Sequence, residues 1–147
     1  MDNAAVQKCF SEAKLNGLTL RNRIIKAGTF EGKTPGGFPT PELTELHRRI
    51  GEGGTAMTTL AYCAAENNGR LHADMMYMDE YVRSPLSQMI QTIKTTGTKV
   101  SGQLSHAGGF SKNREMDGWT AKGPSFGLNM LGMAQGMFFS TALTKPQ

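Results

Sequence analysis

The stretch Thr40-Pro41-Glu42-Leu43-Thr44-Glu45-Leu46-His47-Arg48-Arg49-Ile50-Gly51-Glu52-Gly53-Gly54-Thr55-Ala56-Met57-Thr58-Thr59-Leu60-Ala61 joins a capped helix to a strand through a glycine stop. Thr40 is a favoured N-cap and Pro41 suits the first helical position, where its missing N–H costs nothing. Leu43, Leu46 and Ile50 recur at helical spacing, with Glu42, Glu45, Arg48 and Arg49 on other faces. Gly53-Gly54 can end the helix. Ala56 to Ala61 then reads as a strand.

The same alternation continues on both sides. Upstream, Arg23-Ile24-Ile25-Lys26-Ala27 reads as a short strand. Before it, Asn16-Gly17 sits between the short runs Ala13-Lys14-Leu15 and Leu18-Thr19-Leu20, a strong signal for a two-residue hairpin. Residues 1–12 carry no clear signal and read as an N-terminal extension. Downstream, Ser84-Pro85 repeats the cap-and-proline start, Leu86, Met89, Ile90 and Ile93 make an apolar stripe, and Gly97 stops it. Lys99 to Leu104 is a third strand. From Ser105 to Gln147 the chain is rich in glycine and has little periodicity, so it reads as a long loop. The order is hairpin, then β-α-β-α-β, then loop. Strands alternating with helices pair in parallel through crossovers, in an open doubly wound sheet or in part of a (β/α)8 barrel. Both fit this pattern.

Bulk properties narrow the function classes. The net charge is +4, but the basic residues are scattered, and the densest pairs are Arg21/Arg23 and Arg48/Arg49. No basic block is interleaved with aromatics, so a nucleic-acid partner is not expected. Two cysteines, Cys9 and Cys63, lie far apart and point to free thiols in a reducing compartment. His47, His72 and His106 show no zinc-ligand spacing, so no metal is expected. No apolar run reaches the ~20 residues of a membrane span, and the N-terminus lacks the features of a signal peptide. A cytoplasmic protein without a membrane partner is the expectation.

In either architecture ligands gather at the C-terminal ends of the strands. Three segments lie there: Ala27-Gly28-Thr29-Phe30, Ala61-Tyr62-Cys63, and Gln103-Leu104-Ser105-His106-Ala107-Gly108-Gly109. Gly28 lets backbone amides approach a flat ligand. Gln103 offers a carbonyl and an amide, which suit the donor and acceptor edge of a pyrimidine-like ring. The plain alternative is ordinary strand ends with a glycine turn. Ala27-Gly28-Thr29-Phe30-Glu31-Gly32-Lys33-Thr34 also approaches the phosphate-loop pattern, with Ala in the first place. That motif needs a helix starting at its Lys-Thr. Pro35-Gly36-Gly37 follows instead, so a nucleotide-binding phosphate loop stands only as an alternative. Cys63 reads as a buried inert thiol, and His106 and Tyr62 as packing or hydrogen-bonding residues. The Met75-Met76-Tyr77-Met78 cluster reads as a cover for apolar surface.

At these strand ends the chain resembles the NADH:flavin oxidoreductases, the Old Yellow Enzyme family. The resemblance rests on Leu18-Thr19-Leu20-Arg21-Asn22-Arg23-Ile24, on Pro39-Thr40-Pro41-Glu42-Leu43 through Arg48-Arg49 to Glu52-Gly53-Gly54, on Asn68-Gly69-Arg70, and on Gln103-Leu104-Ser105-His106-Ala107-Gly108. A fainter similarity continues from Gly123-Pro124-Ser125 to Ala142-Leu143-Thr144. The resemblance implies a partial (β/α)8 TIM barrel of about three strands and two helices behind a hairpin, with FMN across its top. Residues 13–104 would be the N-terminal part of that barrel and 105–147 the loop after the third strand. It implies reduction of FMN by NADH or NADPH, then of an activated alkene as small-molecule substrate. On matching positions, Ala27, Gly28, Thr29 and Phe30 would line the flavin. Tyr62 would take the place after strand two, and Gln103 would bond the pyrimidine edge.

Several positions depart from the family pattern. Phe30 stands where many members carry Thr or Cys, Tyr62 is larger than the usual occupant, and Gly109 replaces a common Arg. A complete barrel has eight strands and about 250 residues. The family's substrate-binding and proton-donating residues belong to later strands, so no catalytic residue is assigned. The expectation is an N-terminal portion of an FMN-dependent oxidoreductase, catalytically incomplete as this chain. The alternative is a non-catalytic half-barrel interaction protein that self-associates through its open sheet edge.

Overall fold

The computed structural model describes residues 3–113 and 120–144. Its centre is a three-stranded parallel sheet, β3 (Ile25–Lys26), β4 (Met57–Ala64) and β5 (Lys99–Ser105), in that spatial order. Ile25 pairs with Met57, which pairs with Lys99. Helix α2 (Pro41–Glu52) connects β3 to β4, and α3 (Glu80–Lys94) connects β4 to β5. The fold is therefore α/β with a sequential parallel sheet, as the alternation of elements requires.

Both helices pack on one face of the sheet. Leu43 of α2, Leu60 and Cys63 of β4, and Val82, Met89 and Ile93 of α3 form the buried core together with Met76. Burying side chains of this size contributes about 1.5–3 kcal/mol each against leaving them in water. The opposite face carries Ile25, Thr59, Ser101 and Gln103, which are half-buried or exposed. Thr59 and Ser101 share a 2.8 Å hydrogen bond there.

The hairpin β1 (Ala13–Leu15) and β2 (Leu18–Leu20) forms as Asn16-Gly17 dictates, with φ of 42° and 83° at the two turn residues. It seats Leu20 on Ala56 and Met57, at the N-terminal end of the sheet. Arg21 fixes this end. Its guanidinium donates to the carbonyls of Thr96 (2.9 Å), Gly51 (2.7 Å) and Thr55 (2.9 Å) and to Thr98 Oγ1 (2.9 Å). Buried Asn22 donates to Gly54 O at 2.7 Å and accepts from the Ile24 amide.

Helix α2 matches the sequence reading. The Thr40 side chain accepts from Leu43 N, and Gly54 takes φ of 95° past the helix end. Helix α3 starts earlier than expected. Ser84-Pro85 does not open it; Asp79 caps it, accepting from Tyr81 N at 3.1 Å, and Pro85 lies inside. Proline removes one backbone hydrogen bond, and burial of Val82 ahead of it and of Met89 and Ile93 behind it holds the helix together.

Two further segments have structure that the sequence did not announce. Asn3–Phe10 is a helix, α1, with no buried residue. The expected loop after β5 contains a small sheet of β6 (Ala121–Gly123), β7 (Gly127–Leu128) and β8 (Phe139–Ala142), ordered β6-β8-β7. Residues 114–119 and 145–147 of that expected loop lie outside the described residues.

Candidate functional site

The first strand ends at Lys26, and its chain turns over the top of the sheet at Ala27-Gly28-Thr29-Phe30. Gly28 lies against the ends of both other strands. A Cβ on it would stand 2.0 Å from Gln103 Oε1 and 3.3 Å from the Ala61 Cβ. No side chain fits there unless Gln103 moves. Strand ends one, two and three thus converge at Gly28, as a parallel sheet with sequential order must bring them. Gln103 is exposed, and its amide makes no hydrogen bond to another described residue.

A second group adjoins the first. Phe30 stacks on Tyr62, with ring centroids 6.1 Å apart and planes 17° from parallel, and meets His72 edge-on at 4.9 Å. A small cavity of about 160 Å³ opens beside Tyr62, lined by Leu71, Met75, Ser105, His106 and Phe110. Ala27 and Thr29 are exposed on the same loop. The structure therefore gathers Gly28 with Gln103, and Phe30 with Tyr62. Ala27 and Thr29 share the loop with Gly28 and Phe30. A groove of about 720 Å³ runs along α3 from Met78 to Lys94.

His106 is engaged structurally. Its Nε2 lies 3.0 Å from Glu66 Oε1, and its Nδ1 accepts from the Gly108 amide at 3.1 Å. Gly69 makes room for it, since a Cβ there would meet His106 Cδ2 at 2.7 Å. Arg70 is buried, donates to Asn67 Oδ1, and stacks over the Tyr77 ring at 4.8 Å. The Asn68-Gly69-Arg70 motif thus builds the loop under His106.

The phosphate-loop alternative lacks its helix. Pro35–Gly37 is one short turn, α2 begins only at Pro41, and Lys33 pairs with Glu42. Cys63 is buried, and burial, with the Glu31 carboxylate, pushes its thiol up to about 11. Among the described residues no cluster of three His, Cys, Asp or Glu side chains could hold a metal ion. Among them, too, no helix is long and apolar enough to cross a membrane.

The sequence reading missed Glu31 and His47. Both are buried beneath the loop, with side-chain exposures of 8% and 0%. Lys26 pairs with Glu31 and donates to Thr59 O at 3.1 Å. His47 Nδ1 lies 2.7 Å from Thr58 Oγ1, and Nε2 lies 3.5 Å from Glu31 Oε1, in reach of charge but long for a hydrogen bond.

No family model matches the sequence. The 4,4′-dithiodibutanoate disulfide reductase of Rhodococcus erythropolis is 42% identical over 108 residues, which cover 74% of this chain and 27% of that protein. An Old Yellow Enzyme from a Pichia species superposes with a TM-score of 0.80 at 14% identity, over 95% of this chain and 38% of its own. The chain resembles the N-terminal part of the Old Yellow Enzyme family. Morphinone reductase, in complex with tetrahydroNAD, superposes with a TM-score of 0.78 at 18% identity, over 93% of this chain and 41% of its own. The chain spans about a quarter or less of the curated relatives it matches.

Proposed function

We propose that this chain forms the flavin-facing N-terminal part of a (β/α)8 barrel, in an FMN-dependent oxidoreductase that draws on NADH or NADPH. The observation that carries this reading is the contact of Gly28 with Gln103 and Ala61 at the converged strand ends. The residues present fit a planar cofactor. A Cβ at Gly28 would collide with Gln103, so glycine there leaves room for that side chain at the strand ends, and the Gln103 amide has both a donor and an acceptor to offer.

FMN, when bound, would carry a hydride from the nicotinamide to an acceptor. The chain's own residues bind and orient. The Gln103 carbonyl would accept from a ring N–H, and its NH2 would donate to a ring carbonyl. Gly28, lacking a Cβ, would let the Gln103 side chain lie across the strand ends in position for the ring. Phe30 and Tyr62, already stacked, would form an aromatic wall that excludes water. Phe30 offers no hydrogen bond, so its part is shape. No residue of this chain is assigned as proton donor.

The acceptor is an activated alkene by resemblance. The name of the 42% identical relative favours a second class, an organic disulfide.

An absorbance titration of the purified chain with FMN tests the reading. A saturable, shifted and better resolved flavin band is expected, weakened about tenfold or more in Gln103→Leu, equivalent to ~1.4 kcal/mol or more. A spectrum identical to free FMN up to millimolar concentration would remove it.

A further inference from the structure

The loop Ala27–Phe30 is closed at its base by a half-buried charge pair. Lys26, the last residue of β3, reaches Glu31, the first residue after the loop. Lys26 also donates to Thr59 O of β4, and His47 of α2 faces Glu31 while holding Thr58 of β4. Four segments therefore meet beneath four loop residues, two of which touch the other strand ends.

A solvent-exposed turn does not need this construction. Taking a glutamate largely, and a lysine partly, out of water is costly unless geometry and neighbours compensate. Here the pair is supported by a backbone carbonyl and a fully buried imidazole. Burial would raise the Glu31 carboxyl, but His47 and Lys26 outweigh it and hold the group below its ordinary range, so Glu31 is ionised at neutral pH. Groups that must meet a ligand in fixed geometry need support from a second layer of contacts. The pair lies directly under such groups.

We propose that the Lys26–Glu31 pair, braced by His47, is a clamp that fixes the backbone of Ala27–Phe30 against Gln103, so that Glu31 is a positioning residue for the cofactor face. The clamp rests on the flavin reading only for what the loop meets; the fixing of the loop stands apart from it. Glu31 itself touches no ligand.

Backbone 15N relaxation of the full chain tests the clamp, with Glu31→Gln beside the wild type. Order parameters at Gly28, Thr29 and Phe30 are expected to fall from the rigid range of about 0.85 to below about 0.6, with Thr59–Ala61 and Val100–Gly102 unchanged. Equal order parameters in the loop, or a uniform fall across the sheet, would overturn it. If Glu31→Gln does not fold, the double variant Lys26→Met/Glu31→Gln leaves no lone buried charge and is read by the same criterion. FMN affinity gives a second readout. Weaker binding by the variant, measured well below its own thermal midpoint, supports the positioning role, and equal binding contradicts it. A wild type that leaves the FMN spectrum unshifted removes the flavin reading, and the relaxation data then decide the clamp alone.

Discussion

Gly28 and Gln103 meet across the top of the sheet, so closely that a Cβ on residue 28 would lie 2.0 Å from Gln103 Oε1. Gly28→Ala must therefore push the Gln103 side chain away. That side chain is exposed and can swing, so the stability loss should be about 1 kcal/mol, the low end of overpacking. FMN affinity should fall about tenfold or more. Thermal unfolding and a flavin titration of the same sample separate the two effects. A variant that binds as the wild type does would place the ring elsewhere.

Arg21 spends its guanidinium on four acceptors, three of them backbone carbonyls at the base of the sheet. Arg21→Met should destabilise by about 2–3 kcal/mol, since hydrogen bonds to a charged group are worth about 1.5–3. Arg21→Lys should recover only part, because an ammonium cannot fork between these partners. Urea unfolding midpoints check both.

Much of this arrangement is legible in the sequence where local chemistry decides it. Asn16-Gly17 accepts positive φ, and Thr40-Pro41 caps a helix without help from elsewhere. The start of α3 is not legible in this way, because burial of Val82 carries the helix past Pro85. The strands β6 and β8 are short and pair across intervening chain, so no periodicity betrays them. At the site, strand ends follow from topology, and Gly28 and Gln103 could be named. Glu31 and His47 could not. Their contact depends on how α2 lies over β3, and a lone Glu and His in sequence carry no sign of it.

The ionised Glu31 sets a pH dependence. Its folded pKa lies below the ordinary carboxylate value of 4.5: burial alone would raise it, but the His47 and Lys26 contacts together outweigh burial and lower it. Such a group stabilises the fold fully above the unfolded value and loses that contribution as pH falls through the lower folded value. Stability should therefore drop on acidification below 4.5, and less steeply in Glu31→Gln. Glu45, held down to about 2 mainly by hydrogen bonds from Arg48 and Arg49, contributes a similar trend in both proteins. The difference between their denaturant midpoints across pH thus isolates Glu31. Parallel curves would contradict the pairing.

The two thiols should differ in reactivity. Cys9 is exposed on α1, whereas Cys63 is buried with its thiol pushed up to about 11. Thiolate is the reactive form. One equivalent of a thiol reagent should be consumed in the native state, at Cys9, and a second only on unfolding. Rapid native labelling of Cys63, read by peptide mass, would argue against this packing.

The most direct measurement is an NMR titration with FMN that follows the Gly28 backbone amide and the Gln103 side-chain NH2. Both should shift together and saturate at one concentration, with the amides of α1 unmoved. If FMN shifts neither, or shifts residues along α3 in their place, the cofactor does not meet these strand ends.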